Sequence, residues 1–105
     1  MKDYRRIAED FARHLKAKYG ERIERIILFG SVARGDYRED SDVDLVVVTP
    51  ESTHDLQWDV AGDAMDLLAR DGVLASVLVL TVAEWRETQA SLFGHRVLSE
   101  GHPLA

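Results

Sequence analysis

The stretch LFGSVARGDYREDSDVDLVVV, residues 28–48, joins a glycine-rich turn to a run of acidic side chains that ends in an apolar segment. Two segments rich in β-branched residues flank the turn, IERIILF (23–29) before it and DVDLVVV (42–48) after it, and such segments favour strands. The order therefore predicts two strands joined by a turn that carries glycine, serine, arginine and aspartate. Pro50 is expected to end the second strand, because proline has no N–H to donate to the ladder.

Apolar residues at three- and four-residue spacing predict helices on both sides of this stretch. The first helix is expected between an N-cap at Asp3 and Gly20, and a second one ends at Gly72. Val73–Leu80 is almost wholly apolar, which predicts a third strand buried on both faces. Thr81 is expected to cap a last helix that continues in pieces, and the tail EGHPLA is either frayed or a short edge strand. This order predicts the α/β (α+β) class, a sheet with helices packed on it.

Composition limits the classes of function. A chain of 105 residues suits one domain spanning 1–105, and its net charge of −6 argues against a DNA-binding surface. The absence of cysteine excludes thiolate metal sites, disulfides and thiol nucleophiles. No apolar run approaches the ~18 residues of a membrane span. The first residues, MKDYRRIAEDF, do not resemble a secretory signal, so a cytoplasmic protein is expected.

The turn has the features of an anion site. Gly30 ends a strand and Ser31 is expected to open a short helical turn, where free N–H groups favour a phosphate. The Ser31 hydroxyl can add a donor, Arg34 can supply positive charge, and Gly35 lets the backbone turn back. A plain tight turn between two strands remains the alternative for Gly30 and Ser31 taken alone.

Three better-known loops are excluded by single residues. A Walker A loop needs lysine where Asp36 stands, and a dinucleotide fingerprint needs glycine where Val32 stands. The aspartates at 40, 42 and 44 match three ligand positions of a calcium-binding EF-hand. That loop requires glycine at the position of Leu45, so the calcium interpretation is rejected.

The acidic pair predicts a divalent cation. Strand side chains alternate between faces, so Asp42 and Asp44 point the same way, roughly 6.5 Å apart along the backbone. Two like charges at this separation repel each other unless a cation neutralises them. Mg²⁺ fits, because it binds through one or two carboxylates and completes its shell with water and substrate phosphates. The alternative is a solvated loop before the strand, although LVVV follows Asp44 at once.

The joint motif FGSVARG…SDVDLVVV resembles the nucleotidyltransferase signature of the DNA polymerase beta superfamily, G-S-x-x-R-G followed by S-D-x-D-L. Nearly the whole chain resembles the minimal nucleotidyltransferases (MNT), including the tail SLFGHRVLSEGHPL. These proteins commonly pair with a HEPN protein in toxin–antitoxin systems. The resemblance implies a polymerase beta-like fold with a small mixed β-sheet, ATP or another nucleoside triphosphate as donor, and Mg²⁺ or Mn²⁺.

The resemblance also implies roles for individual residues. Asp42 and Asp44 would be the catalytic, metal-binding pair. The nucleotide and its phosphates would be bound by Gly30, Ser31, Arg34, Gly35 and Ser41.

One position departs from the family pattern. Fully active members place a third carboxylate on the next strand, and Ser76 is the expected occupant of that position here. The implied activity is AMP transfer from ATP to a hydroxyl on a partner, such as a tyrosine of a HEPN toxin in a hetero-oligomer. The alternative is a catalytically weak or inactive nucleotide-binding antitoxin that neutralises its partner by occlusion. Transfer to a small molecule such as an aminoglycoside is a third, weaker alternative.

Overall fold

The computed structural model describes residues 2–50 and 54–105. The helices in this part of the chain are α1 (Tyr4–Tyr19), α2 (Gly30–Arg34), α3 (His54–Asp71), α4 (Val82–Thr88) and α5 (Leu92–Glu100). The strands are β1 (Arg25–Phe29), β2 (Val43–Thr49), β3 (Ala75–Thr81) and β4 (His102–Pro103). The predicted order is confirmed, and the last helix is divided in two as expected. Among the described residues, no helix is long and apolar enough to cross a membrane.

The strands form one mixed sheet in the order β3-β2-β1-β4. β1 runs antiparallel to both β2 and β4, whereas β2 and β3 are parallel. The mixed sheet with helices packed on it is therefore confirmed, and the tail forms a short edge strand. In the register, Phe29 pairs with Asp44 and Asp44 lies beside Ser76. The C-terminal end of β1 and the N-terminal ends of β2 and β3 thus meet at one end of the sheet.

Helices cover both faces of the two central strands. On one face, α1 and α3 enclose the larger core, which includes Leu28, Leu45 and Val47. On the other face, Trp85 of α4 and Val97 of α5 enclose a smaller core with alternate residues of β1 and β2. The apolar run after Asp44 is therefore buried on both sides, because β2 lies in the interior of the sheet.

The prediction that the third strand is buried on both faces is wrong. β3 lies at the edge of the sheet, Ser76 is exposed, and Leu78 is 41% exposed. Gln57 of α3 covers part of the free edge, since its Oε1 accepts from the Val79 N–H at 3.1 Å and its Nε2 donates to the Val77 carbonyl at 3.4 Å. An apolar strand is fully buried only when a helix covers each face, and on β3 the side opposite α3 stays open near Ser76.

A buried carboxylate ties α1 to α3. Asp63 is 4% exposed, and its Oδ1 accepts from Lys18 Nζ at 2.7 Å while the Tyr19 hydroxyl donates to its Oδ2. Burial by itself would raise the pKa of Asp63. The hydrogen bonds from Lys18 and Tyr19, with the charges of Lys18 and His14, outweigh burial and hold that pKa below its usual value. The charged form of Asp63 therefore stabilises the fold.

Candidate active site

The turn after β1 depends on a glycine for two reasons. Gly30 begins α2 directly after the strand with φ +77, a left-handed conformation that glycine alone adopts without strain. A Cβ on Gly30 would lie 3.2 Å from Cγ of Asp44 and inside 3.0 Å of its Oδ2, closer than real Cβ atoms come. The missing side chain thus leaves the space that the Asp44 carboxylate occupies.

The loop between α2 and β2 is fixed at several points. Gly35, with φ +85, ends α2 in a left-handed cap. Near the other end, the Ser41 hydroxyl accepts from the backbone N–H of Arg38 at 2.7 Å. Between these points, the hydroxyl of the buried Tyr4 donates to the carbonyl of Glu39. These contacts set where the acidic end of the loop enters β2.

The two aspartates differ in their surroundings. Asp42 precedes β2 and is exposed, whereas Asp44 is the second residue of the strand and is half-buried. Burial raises the pKa of Asp44, and the negative charge of Asp42 raises it further, while Arg34 lowers it in part. The ionised pair is therefore unfavourable as it stands, and a cation near both carboxylates would relieve the repulsion.

A pocket of about 340 Å³ opens at the end of the sheet where Phe29 pairs with Asp44. Its lining is formed by Phe29, Gly30, Ser31, Arg34, Asp44, Phe93, Arg96 and Glu100. Four of the residues selected from the sequence thus come together around one cavity. Asp42 does not line the cavity, but its negative charge raises the pKa of Asp44, which does. Gly35 and Ser41 do not line it; the structure places them in the turn and the loop that carry the other residues.

Helix α5 supplies a wall of the pocket that the sequence analysis did not assign. Phe93, Arg96 and Glu100 follow one another at helical spacing and therefore lie on one face. The Phe93 ring meets Phe29 edge-on, with centroids 5.4 Å apart. A Cβ on Gly94 would overlap the Thr88 carbonyl, so the start of α5 lies directly against the end of α4. The spacing of these residues was a visible signal, although it is also typical of any exposed helix face.

Arg34 is held in place by two carboxylates. Its Nη1 lies 3.1 Å from Glu100 Oε2, and its Nε lies 3.3 Å from Asp36 Oδ2. Hydrogen bonds to Asp36 and Glu100 raise the pKa of Arg34, so its charge is retained. The pair with Glu100 also joins α2 to α5 across the pocket.

Ser76 occupies the position beside Asp44 on the neighbouring strand. Partners in this register point to the same face of a parallel sheet, so the exposed serine lies next to the acidic pair. It is thus not a buried packing residue. Within residues 2–50 and 54–105, no group of three or more histidine, aspartate or glutamate side chains could hold a metal ion.

Comparison with known proteins agrees with this architecture. A family model described as a nucleotidyltransferase domain matches residues 8–97. A Methanocaldococcus jannaschii protein named "Putative protein adenylyltransferase" is 38% identical over 97 residues, which is 91% of this chain and 92% of the relative. A second protein of that organism with the same name is 42% identical over 45 residues, 43% of this chain and 46% of the relative.

Solved structures share the fold at lower identity. A chain of a toxin–antitoxin crystal structure with AMP-PNP matches with a TM-score of 0.67 and 21% identity, covering 92% of this chain and 72% of the other. A chain from the tri-AMPylated Shewanella oneidensis HEPN toxin in complex with its MNT antitoxin gives a TM-score of 0.60 and 19% identity, covering 96% and 71%. By its family match and its relatives, the chain belongs to the nucleotidyltransferase domain family.

Proposed function

We propose that this chain, acting as one domain over residues 1–105, transfers AMP from ATP to a hydroxyl on a partner protein. The observation that carries the proposal is the joint position of the glycine turn and the acidic pair. Gly30 and Ser31 line the same pocket as Asp44, and the absent side chain of Gly30 leaves room for the Asp44 carboxylate. A site that brings phosphate-binding backbone against a carboxylate pair suits a nucleoside triphosphate carried with a divalent metal.

The residues present fit Mg²⁺ or Mn²⁺. Carboxylate oxygens are the ligands that these ions prefer, and Asp42 and Asp44 are the residues that would hold one. Burial and the negative charge of Asp42 raise the pKa of Asp44, so a cation bound at this carboxylate would stabilise its charged form. When bound, a divalent ion supplies positive charge between the carboxylates and the phosphates.

The other residues of the site would bind and orient the donor. The first-turn N–H groups of α2 and the Ser31 hydroxyl are donors for phosphate oxygens. Arg34, fixed by Glu100 and Asp36, adds positive charge at the rim. In the transfer, the acceptor oxygen forms a bond to the α-phosphorus, pyrophosphate leaves with the electrons of the broken P–O bond, and the hydroxyl proton passes to solvent.

The serine at the third position limits the choice of acceptor. A serine hydroxyl is a poor base, so Ser76 gives little help in deprotonating the acceptor. General-base catalysis is typically worth about 10²–10⁴-fold, so transfer should be slow. A phenol suffers least from this loss, because its pKa of ~10 is far below that of an alkyl hydroxyl. Tyrosine is therefore the acceptor that this site suits best.

The partner we propose is a HEPN-type toxin bound in a hetero-oligomer in the cytoplasm, with this chain as the antitoxin. Two observations support it: the relatives are named as protein adenylyltransferases, and a structural neighbour is an AMPylated HEPN toxin bound to an MNT antitoxin. The second candidate is a nucleotide-binding antitoxin that acts by occlusion. The exposed Ser76 in place of a third carboxylate favours that alternative.

Calorimetry with ATP tests the site. Wild type should bind ATP measurably with Mg²⁺ and much more weakly without it. In Asp42→Asn and Asp44→Asn, the metal-dependent part should be largely lost, because a neutral amide does not replace an anionic ligand. An affinity for ATP that is equal in wild type and both variants would contradict the assignment of the site.

A further inference from the structure

The face of α5 that borders the pocket holds an arginine with no assigned role. Phe93, Arg96 and Glu100 line the same cavity as Gly30 and Ser31 of the glycine turn. Helix α5 is held firmly, because Gly94 lies against the Thr88 carbonyl and Ser91 caps the helix by accepting from the Gly94 N–H at 3.1 Å. The position of Arg96 at the pocket is therefore set by the packing of the fold.

The charges that line the pocket are not all compensated. Arg34 is paired with Glu100 at 3.1 Å and with Asp36 at 3.3 Å. Asp44 is the anionic side chain that a metal would neutralise. Arg96 forms no ion pair with any residue that the structure describes, and its side chain is exposed at the cavity. Among the charged groups of the lining, Arg96 is thus the cation left for an anionic ligand.

We infer that Arg96 binds the β- and γ-phosphates of the donor nucleotide, the part that leaves as pyrophosphate. The inference rests on the proposed function and adds a residue to its site. The planar guanidinium presents paired N–H donors that match phosphate oxygens, and it is always charged. Gly30 and Ser31 line the same cavity, so phosphates bound there would contact both α2 and α5. Arg34 stays paired with Glu100, a contact that links those two helices.

The role of Arg96 is tested by comparing nucleotides that carry three, two or one phosphate. ATP, ADP and AMP are titrated with Mg²⁺ into wild type, Arg96→Ala and Arg96→Lys, and affinities are measured by calorimetry. Loss of a charge-assisted hydrogen bond should weaken ATP about tenfold to a hundredfold in Arg96→Ala. AMP affinity should change less than about threefold, because AMP lacks the two phosphates in question. Arg96→Lys should fall between, since lysine keeps the charge without the fork.

Arg86→Ala is the matched control. Arg86 is exposed on α4 and does not line this pocket, yet its removal changes the net charge equally. It should leave ATP affinity within about twofold of wild type. A fall as large as that of Arg96→Ala would show a general charge effect and overturn the inference. Thermal melts of each variant check that the fold is intact.

The outcomes separate the inference from the proposed function. If wild type binds ATP through Asp44 and Arg96→Ala binds it equally well, the role of Arg96 is refuted and the site assignment stands. If Arg96→Ala lowers the affinity for AMP as much as that for ATP, the arginine does not bind the terminal phosphates and the inference is refuted. If wild type shows no ATP affinity that Asp44→Asn removes, the proposed function fails, and the inference fails with it.

Discussion

Gly30→Ala is the substitution that tests how the glycine turn and the acidic pair depend on each other. Alanine at position 30 would have to keep the left-handed φ of +77 that the fold requires there. Its Cβ would also occupy space that the Asp44 carboxylate holds. The first effect acts on stability, whereas the second acts on the site. The two effects can therefore be measured separately in one variant.

The expected sizes follow from the geometry. A left-handed conformation costs a non-glycine residue roughly 1–2 kcal/mol, so the free energy of unfolding should fall by about that amount. To restore ordinary van der Waals contact beyond 3.4 Å, the Oδ2 atom of Asp44 must withdraw by on the order of 1 Å. Misplacement of a reacting group by about 1 Å can cost 10²-fold in rate. Metal-dependent ATP affinity should therefore fall tenfold or more, and AMP transfer by roughly 10²-fold.

Calorimetry with ATP and Mg²⁺, combined with denaturant unfolding, measures both effects. Gly20→Ala is the matched control, because Gly20 has φ +56 at the far end of β1 and a Cβ there would meet nothing within 4 Å. It should also lose stability, because φ +56 with ψ −124 disfavours residues other than glycine, and it should keep its ATP affinity. If Gly30→Ala binds ATP as Gly20→Ala does, the argument that Gly30 makes room for Asp44 is refuted.

Two further predictions concern stability and its dependence on pH. The raised pKa of Asp44 means that its charged form destabilises the fold, so Asp44→Asn without metal should melt at a higher temperature than wild type at pH 7. That difference should vanish as the pH falls below ~3.9, the ordinary pKa of aspartate, and a lower melting temperature at pH 7 would contradict it. The charged form of Asp63 has the opposite effect and stabilises the fold, because its pKa is lowered. This stability is present above the unfolded-state pKa and is lost as the pH falls through the folded-state pKa. Tyr19→Phe should cost about 1.5–3 kcal/mol in denaturant unfolding at pH 7, because it removes a hydrogen bond to this buried charge, and an unchanged stability would refute that role.

Features that depend on local chemistry were predictable from the sequence. The strand–turn–strand order follows from the two runs of β-branched residues. The end of β2 directly before Pro50 follows from the N–H that proline lacks. The caps at Asp3 and Thr81 were also correct, since each side chain accepts from the N–H three residues on. These signals lie within a few residues of the structure they specify.

Features that depend on packing between distant segments were missed. The burial of β3 is set by its place at the sheet edge, which its own composition does not show. The role of α5 depends on which strand the helix covers, so Arg96 was indistinguishable from an ordinary surface arginine. Asp63 finds its partners 44 and 45 residues away on α1, and nothing in its neighbourhood predicts them. Even the approach of Gly30 to Asp44 needs the register that pairs Phe29 with Asp44.

Label transfer from α-labelled ATP to the co-purified partner protein tests the central claim most directly. Wild type should label the partner slowly and only with Mg²⁺ or Mn²⁺, above the blank set by Asp44→Asn. Ser76→Asp should label it faster, because the register puts this side chain beside Asp44. γ-Labelled ATP should leave no label, since that phosphate departs with pyrophosphate. If neither wild type nor Ser76→Asp exceeds the blank, the chain is not a transferase toward that partner, and the occlusion alternative takes its place.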